Sequence, residues 1–595
     1  MKQQNIIMGI SFVLLFVMVM GVSYAAYKFS ATGTKENVIS TGTISMSYKQ
    51  NSFIDLKNTY PKTDIYAIGT KEDKSSMEFS VSMETSGTKQ INYALAITNI
   101  EEGATLKSDK VKIYLEKEGK VVNNFETNKG QTIESFKNKY VEGLIDNYAI
   151  YQDILTTSKE THNYTLTAWI DESYILPIKN ETTTTKETNK ETYKFKVKVV
   201  GVDTPITIKE KEAIILDTSG ANAPVLASNM IPVYYDETNK TWKKADVSNT
   251  DTTNPWYSYN STGEYKGMWA NAVTVTGTNR QTYLNANPGT EIPMDDINTM
   301  WVWIPRFNAV TPSNYNGGTQ AKPNAIDVTF VKINETAIDA FTFGTKQLSG
   351  FWYGKFEVGG TLASACTNET CNVSNTVVKP NVSSLRNQTV SSFFYAARSM
   401  EQTGNSFGFV KDEVDTHMSK NNEWGTVAYL TQSIYGRCTN STSCTEVGIN
   451  NNGSFITGYG APAGSSSSVT NGAYNTTLGK DASTTGTIYG IYDMSGGTYE
   501  YVMGVYNKAI RSSGFSSLPD SKYYNNYTES SYTGHALTET ENWYRDYAGF
   551  VSSYDPWFVR GGGYSNSTSA GVFVFDYNNG ISNSYYSSRL VISNE

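Results

Sequence analysis

The chain has few of the residues on which most metal sites, acid–base sites and nucleic-acid interfaces depend. Its 595 residues include only three histidines, His162, His417 and His535, which argues against a histidine-rich metal centre. The formal net charge is −8 and there is no long basic block, so nucleic acid is not expected as a partner. The H-E-x-x-H and P-loop motifs are also absent, and the sequence predicts no metal and no cofactor.

The N-terminus carries an apolar run from Ile6 to Ala26, after the short polar start MKQQN. The small residues Ser23 and Ala25 close this run, as in a secretory signal peptide. Its length of about 21 residues is also sufficient to span a bilayer. Residues 1–26 are therefore predicted to be a signal peptide or an N-terminal membrane anchor, and the remainder is expected to be extracellular or at the cell surface.

Four cysteines fall in two close pairs. Cys366 and Cys371 form the first pair, and Cys438 and Cys444 form the second. In an oxidising compartment this spacing predicts two local disulfides. The alternative is a metal site, which usually needs closer cysteines and a neighbouring histidine.

The length predicts two to four domains, and the first, at 27–203, is rich in β-patterns. The stretch VEGLIDNYAIYQDIL at 141–155 is the one helical candidate in this region. Strands are predicted at 164–170 and 192–200, where apolar and polar residues alternate,. A hairpin is predicted at 112–122, with Glu118 and Gly119 at its turn,.

The start of this region, YKFSATGTKENVISTGTISMSY, resembles the TasA/camelysin family of exported Gram-positive proteins. The resemblance covers about 20 residues and implies a β-sandwich that can build surface assemblies. A generic β-sandwich spacer is the alternative.

A linker is predicted at 204–225, where Ser, Gly, Ala and Pro accumulate, and a second domain at 226–595,. Strands are predicted at 299–307 and 350–358, and helices at 383–400 and 419–436,. Ser419 is the expected N-cap of the latter helix, with Glu423 near its first turn. The fold class is therefore α+β, mostly β with irregular loops.

A cluster of acidic residues and one histidine lies in KDEVDTH. It contains Asp412, Glu413, Asp415 and His417. We interpret it as a solvated turn rather than a site, because no second cluster is present to complete a site.

The second domain carries WVWIPRF, GFWYGKFEV, NEWGTVAYL, YGIYDMSGGTYEYVMG, VRGGGY and SSRLVI in that order. This order resembles the formylglycine-generating-enzyme-like (sulfatase-modifying factor) branch of the C-type-lectin fold over roughly 300 residues. The resemblance implies that Arg560 and Arg589 are buried or half-buried and hold carboxylates or carbonyls, with Glu500 or Asp493 as candidate partners. Tyr499 and Tyr501 are expected to alternate on a strand.

The enzymes of that family use two cysteines that follow the R-G-G-[SG]-[WY] word and hold copper. The matching positions here are Asn566 and Gly571, which supply no thiolate. The resemblance therefore implies the fold without catalytic residues.

The stretch RGGGYSNSTSAGVFVFDYNNGISNSYYSSRLVI at 560–592 resembles the variable region of C-type-lectin-fold proteins that diversity-generating retroelements diversify. Tyr, Ser and Asn are also the residues that antibody paratopes favour. A low-complexity tail is the alternative, although it would not retain VFVF and RLVI. The predicted framework is Arg560, Gly561, Gly562, Ala570, Gly571, Val572, Phe573, Phe575, Gly580, Arg589, Leu590 and Val591. The predicted ligand-binding residues are Tyr564, Ser565, Asn566, Asp576, Tyr577, Asn578, Asn579, Ser582, Asn583, Ser584, Tyr585, Tyr586 and Ser587.

Together these features predict an exported, surface-displayed protein whose variable region binds a protein or glycan ligand on another cell or particle. The membrane is a second partner if the segment from Ile6 to Ala26 is retained. Two alternatives stay open. One is a divergent enzyme of the formylglycine-generating type, and the other is a structural fibre or biofilm subunit.

Overall fold

A computed structural model describes residues 28–32, 37–41, 44–50, 54–57, 60–72, 75–85, 90–98, 106–174, 192–211 and 216–594. The predicted N-terminal segment from Ile6 to Ala26 lies outside these residues. None of the helices within them is both long and apolar enough to cross a membrane. The chain divides into two compact units, 1–213 and 214–595, and the molecule is mostly β, as predicted.

The first unit is built almost entirely of strands. Its described helices are α1 (Asp64–Thr70) and the 3-10 turns Ser108–Lys110 and Ile133–Phe136. Its strands are β1 (Lys28–Thr32), β2 (Asn37–Thr41), β3 (Ile44–Gln50), β4 (Asp55–Lys57), β5 (Ser76–Thr85), β6 (Ile91–Thr98), β7 (Val111–Lys117), β8 (Lys120–Val121), β9 (Gln131–Thr132), β10 (Lys139–Tyr140), β11 (Ala149–Leu155), β12 (Lys159–Ile170), β13 (Thr192–Lys194), β14 (Lys196–Val202) and β15 (Lys209–Glu210).

Two sheets of the first unit share one hydrophobic core. The smaller has the order β1-β14-β6-β11, and the larger has the order β2-β3-β5-β12-β7-β8 with β9 beside β7. Tyr48 and Phe79 of the larger sheet and Leu95 and Val197 of the smaller sheet are buried in this core. Alternate residues of each strand point inward, which is why the period-two pattern identified these strands.

The hairpin prediction is confirmed, and the helix prediction at 141–155 is wrong. Glu118 and Gly119 link β7 to β8 with φ of 49° and 73°, the positive values that a two-residue hairpin turn favours. Residues of the predicted helix instead form β11, which pairs antiparallel with β6. Its short apolar pattern fits a strand as well as a helix, and the open edge of β6 decides between them.

Described residues near both ends of the predicted linker are held by hydrogen bonds. Lys209 pairs with Tyr140 in the first unit. Near the other end of the predicted linker, the carbonyl groups of Asn222 and Val225 accept hydrogen bonds from the indoles of Trp303 and Trp352 in the second unit. The division into units at 213/214 falls between these two anchored parts.

The second unit combines longer helices with two main sheets. Its helices are α2 (Arg280–Asn285), α3 (Val390–Ser399), α4 (Asn421–Thr431) and α5 (Thr477–Asp481), with 3-10 turns at Asn314–Gly317, Asp339–Phe341, Ser521–Tyr523, Thr538–Thr540, Trp543–Arg545 and Ser567–Ser569. Its strands are β16 (Ile231–Asp236), β17 (Thr241–Lys244), β18 (Asn271–Val275), β19 (Glu291–Ile292), β20 (Ile297–Pro305), β21 (Phe307–Ala309), β22 (Val328–Phe330), β23 (Thr342–Phe343), β24 (Lys346–Gln347), β25 (Gly350–Gly354), β26 (Gly359–Gly360), β27 (Thr376–Val377), β28 (Val414–Met418), β29 (Cys438–Asn440), β30 (Ser443–Cys444), β31 (Tyr459–Gly460), β32 (Gly472–Ala473), β33 (Tyr499–Tyr506), β34 (Asn525–Tyr527), β35 (Trp557–Gly561), β36 (Gly571–Asn578), β37 (Tyr586–Ser588) and β38 (Leu590–Asn594).

The last strand of the chain lies inside a sheet. The larger sheet has the order β19-β17-β16-β18-β20-β25-β38-β28, and the smaller has the order β34-β33-β35-β36 with β37 beside β33. Trp303 of β20, Trp557 of β35 and Trp424 of α4 are buried in one core. The closing segment is therefore fixed by two neighbouring strands.

Both predicted helices exist but are shorter than their patterns. The first begins after Thr389, whose side chain accepts a hydrogen bond from Ser392 N. The second begins after Lys420 rather than at the predicted Ser419. Glu423 accepts from Lys420 N at 2.8 Å, so it closes the first turn as expected.

Candidate functional site

The C-terminal run 560–592 crosses between the two sheets of the second unit. Within it, β35 and β36 pair with each other, while β37 pairs in parallel with β33. The next strand, β38, pairs with β25 and β28 of the other sheet. The polar loops of this run are therefore held at both ends by regular structure.

Two buried arginines fix the backbone of this region. Arg589 donates to both carboxylate oxygens of Glu500, with Nε at 3.0 Å and Nη2 at 2.5 Å. It also donates to the carbonyls of Gly354 and Tyr492 at 2.9 Å. Of the two predicted partners, Glu500 is thus the one that Arg589 contacts directly. Four of the five N–H groups of the guanidinium are paired in this way, which allows the forked donor to be buried.

The second arginine, Arg560, binds carbonyls and an amide rather than a carboxylate. Its Nη1 donates to Ala536 O at 2.8 Å, and its Nε donates to Asn421 Oδ1 at 2.8 Å. Burial lowers the pKa of Arg560 to about 10. These bonds tie β35 to α4.

Framework and predicted ligand-binding residues differ in burial. Every framework residue named above is buried. Five of the predicted ligand-binding residues are exposed: Ser565, Tyr577, Ser582, Ser584 and Tyr585. Seven are half-buried: Tyr564, Asn566, Asp576, Asn578, Asn579, Asn583 and Tyr586.

The remaining predicted residue, Ser587, is buried, so its assignment to the exposed surface is wrong. It lies on β37 opposite Glu500 of β33. Its hydroxyl donates to Val358 O at 3.4 Å. Ser587 is the same type of residue as its exposed neighbours Ser582 and Ser584, but it lies on a strand of which Ser588 is buried as well.

The first part of the surface is an aromatic cluster centred on Phe455. The rings of Tyr564 and Tyr585 contact Phe455 edge-on, at centroid distances of 4.9 and 5.7 Å. The guanidinium of Arg386 lies 4.1 Å from the Phe455 centroid and donates to Ser584 O at 2.8 Å. No sequence pattern pointed to Phe455 or Arg386, which lie in segments more than 100 residues upstream.

The second part of the surface is centred on Tyr586. Its ring lies between Tyr499, at 5.6 Å, and Tyr501, at 5.0 Å. Asn578 donates to the Tyr586 hydroxyl at 3.0 Å. Burial raises the pKa of Tyr499, while a side-chain hydrogen bond from Asn566 opposes this shift. These contacts connect residues of three separate stretches into one surface.

Asp576 supplies a carboxylate within this tyrosine-rich surface. It accepts a hydrogen bond from Tyr577 N at 2.8 Å. Burial raises its pKa, and the nearby negative charge of Asp555 adds to the effect. A Cβ at Gly549 would lie 3.0 Å from Tyr547 Cε1, 3.1 Å from Tyr577 Cε1 and 3.2 Å from Asp576 Oδ1. The glycine therefore leaves room beside the two rings and the carboxylate.

The positions that match the cysteines of the resembling enzymes have other surroundings here. A Cβ at Gly571 would overlap both carboxylate oxygens of Asp546. Asp546 is buried, accepts from Phe573 N at 2.9 Å, and has a pKa that burial raises well above its usual value. Asn566 accepts from Gly563 N at 2.7 Å. The Asp546 carboxyl group and the Asn566 amide thus occupy the space that a pair of thiols would need.

The two predicted disulfides are present. Cys366 is bonded to Cys371, and Cys438 is bonded to Cys444. The second bond closes the β29–β30 hairpin. Disulfides of this kind indicate an oxidising environment, in agreement with export.

The interpretation of KDEVDTH as a solvated turn is wrong for Asp415 and His417, although Asp412 is exposed. Both lie on β28, where they are 1% and 0% exposed. His417 Nδ1 lies 3.0 Å from Asp415 Oδ1, and Nε2 lies 3.0 Å from Glu423 Oε1. Burial lowers the pKa of His417, but the charge of Glu423 and the contacts with Asp415 outweigh it and raise the pKa overall.

One G-x-S-x-G pattern occurs, at 404–408. It lies between α3 and β28 rather than on a strand-to-helix turn, where a hydrolase nucleophile would be expected. The hydroxyl of Ser406 is buried without a hydrogen-bond partner in the part of the chain that the structure describes. It therefore has no base positioned to activate it.

Comparisons with known proteins give little further information. Neither the protein-family models nor the curated proteins include a match to this sequence. Among solved structures, the chain is similar to a GH31 α-xylosidase from Xanthomonas citri, at 14% identity and a TM-score of 0.10. The similarity covers 30% of this chain and 20% of the xylosidase. It carries no argument about fold or reaction.

Proposed function

We propose that this protein is an exported, surface-displayed binding protein, and that a diversity-generating retroelement diversifies its C-terminal surface. The second unit would then be a formylglycine-generating-enzyme-like C-type-lectin domain. The observation that carries the proposal is the division of 560–592 by burial. All its framework residues are buried, whereas twelve of the thirteen predicted variable residues are exposed or half-buried.

This division is what a diversified binding surface requires. Substitution of an exposed side chain usually changes stability little, whereas a change in the core is costly. Tyrosine side chains give large contact areas with few rotatable bonds, and Ser and Asn provide adaptable hydrogen bonds. The surface formed by Tyr564, Tyr577 and Tyr585 thus suits a protein or glycan ligand on another cell or particle.

The position of Asp546 favours binding over formylglycine-generating chemistry. That chemistry needs a pair of thiolates to hold copper, and Gly571 faces a buried carboxyl group instead,. The disulfides favour an extracellular location,. A cleaved signal peptide and a retained N-terminal anchor are both compatible with export of the protein.

The gene itself provides the most direct test. We expect a reverse transcriptase gene and a near-copy of the segment encoding 560–592 close by. Among related isolates, differences should concentrate at the twelve exposed or half-buried positions and spare Gly561, Phe573 and Arg589. Differences spread evenly along the chain would contradict the proposal, as would variation concentrated at framework positions.

A further inference from the structure

A cavity of about 810 Å³ lies beside β23 and α4, and it shares no lining residue with the variable surface. Its volume is in the range of small-molecule sites, about 300–1,000 Å³. The charged side chains among the described residues that line it are Lys346, Lys420, Lys522, Asp339 and Asp520.

Two lysines converge on one aromatic ring in the wall of this cavity. The ammonium groups of Lys420 and Lys522 lie 5.0 and 4.9 Å from the Phe343 centroid. His417 stacks on the same ring at 4.8 Å, with 17° between the planes. The Phe343 ring is therefore in contact with one imidazole and two ammonium groups. Such an arrangement brings two ammonium groups to one point of the wall.

Lys420 is a buried residue rather than a surface lysine. The residue is 3% exposed. Its Nζ lies 3.5 Å from Glu423 Oε1, beyond the usual hydrogen-bond range of about 2.7–3.2 Å. An ammonium group carries three donors, so Lys420 has N–H groups to offer to a ligand in the cavity.

The nearby carboxylates, by contrast, already have donors. Glu423 accepts from His417 Nε2 at 3.0 Å and from Lys420 N at 2.8 Å. Asp415 accepts from Tyr523 at 2.8 Å and from Lys522 at 3.1 Å.

Asp339, on the wall itself, pairs with His535 at 2.8 Å. The donors that Lys420 still offers therefore favour an acceptor, and an anionic one is favoured most.

The uncharged part of the wall indicates what else the ligand carries. Thr342, Thr345, Ser521 and Asn525 line the cavity with hydroxyl and amide groups that can bond to hydroxyls. Tyr524 adds an aromatic surface. We propose that this cavity binds a small carboxylic acid that carries several hydroxyl groups, such as an acidic sugar, with its carboxylate at Lys420 and Lys522.

Calorimetric titration of the full chain with D-glucuronate, and separately with D-glucose, tests this site. The two sugars differ in the carboxylate, so glucuronate is expected to bind at least about tenfold more tightly. Lys420→Gln and Lys522→Gln should each weaken glucuronate binding about tenfold or more, while the exposed control Lys508→Gln should leave it unchanged. Near-UV circular dichroism shows whether each variant is folded. If Lys420→Gln does not fold, the result with Lys522→Gln decides the test.

Three results would overturn the proposal: equal binding of the two sugars, binding of neither, or glucuronate binding that both folded lysine variants retain. Inorganic phosphate is the third probe. If phosphate binds as tightly as glucuronate and the same variants abolish its binding, the site recognises a bare oxyanion and the polyhydroxyl part of the proposal is wrong.

Discussion

At the scale of single residues, the segment 560–592 contains both exposed side chains and side chains of the buried core. Tyr585 is 50% exposed, while Phe573 is 1% exposed and packs against Trp543 at 5.1 Å. Arg589, five residues before the described end of the chain, is fully enclosed. The contrast gives a matched pair of substitutions for the proposed binding surface.

We expect Tyr585→Ala to change the free energy of unfolding by no more than about 0.5 kcal/mol, because an exposed ring contributes little to stability. The same change should weaken ligand binding by more than about 1 kcal/mol if Tyr585 anchors the ligand. Phe573→Ala is the control. It should cost about 3–5 kcal/mol of stability, because it leaves a cavity in the core. Urea unfolding and calorimetry with a captured ligand measure the two quantities.

Glu446 gives a prediction about pH. Burial raises its pKa from the ordinary value of 4.5 to about 7, against the opposing charges of Arg437 and Arg545. Between these values the folded protein retains a proton that the unfolded chain has lost. This group's contribution to stability therefore falls as the pH rises from about 4.5 to about 7, and it levels off above that.

We expect Glu446→Gln to remove that component, because an amide does not titrate. Thermal unfolding midpoints of the wild type and the variant, measured at intervals between pH 4.5 and 8, give the difference directly. A variant whose midpoint changes with pH in parallel with the wild type would show that Glu446 titrates at its ordinary value.

At the scale of elements, a disulfide bond closes a short hairpin in a part of the second unit that has little regular secondary structure. The bond between Cys438 and Cys444 has a sequence separation of 6 and closes the hairpin of β29 and β30. The ring of Tyr435, just before it, contacts that of Phe330 at a centroid distance of 4.6 Å, with the planes tilted by 49°. The hairpin is thus fixed both covalently and by aromatic packing.

Replacement of both cysteines, Cys438→Ser with Cys444→Ser, should lower the free energy of unfolding by about 2 kcal/mol. The effect is modest because a short loop loses little entropy on closure. Chemical unfolding with and without reductant measures it, and peptide mapping under non-reducing conditions identifies the bond. A loss of all folded structure would contradict this expectation and would mean that the bond is needed for folding.

At the scale of the whole molecule, each unit has its own hydrophobic core. A unit with its own core is expected to fold alone. We therefore expect the fragment 214–595 to unfold in one cooperative transition and to retain the binding of the full chain. An uncooperative transition, or a far-UV circular dichroism spectrum without β structure, would show that the second unit depends on the first.

By itself, the sequence determined the features that depend on local pattern and chemistry. Alternation identified strands such as β12 and β14, and the Glu118–Gly119 pair identified a hairpin, because both patterns act within a few residues. Spacing identified the disulfides. The apolar and glycine residues of 560–592 identified its framework, since large apolar side chains such as Phe573 are stable only when buried.

Only the tertiary structure decided where polar residues lie. Asp415 and His417 look like surface residues, yet they are buried because Glu423 and Tyr523 satisfy them from other elements. Ser587 resembles its exposed neighbours, but it is buried and its hydroxyl donates to Val358 O of another segment. The physical reason is the same in each case. Burial of a polar group is costly unless a partner satisfies it, and these partners come from elements that only the fold brings together.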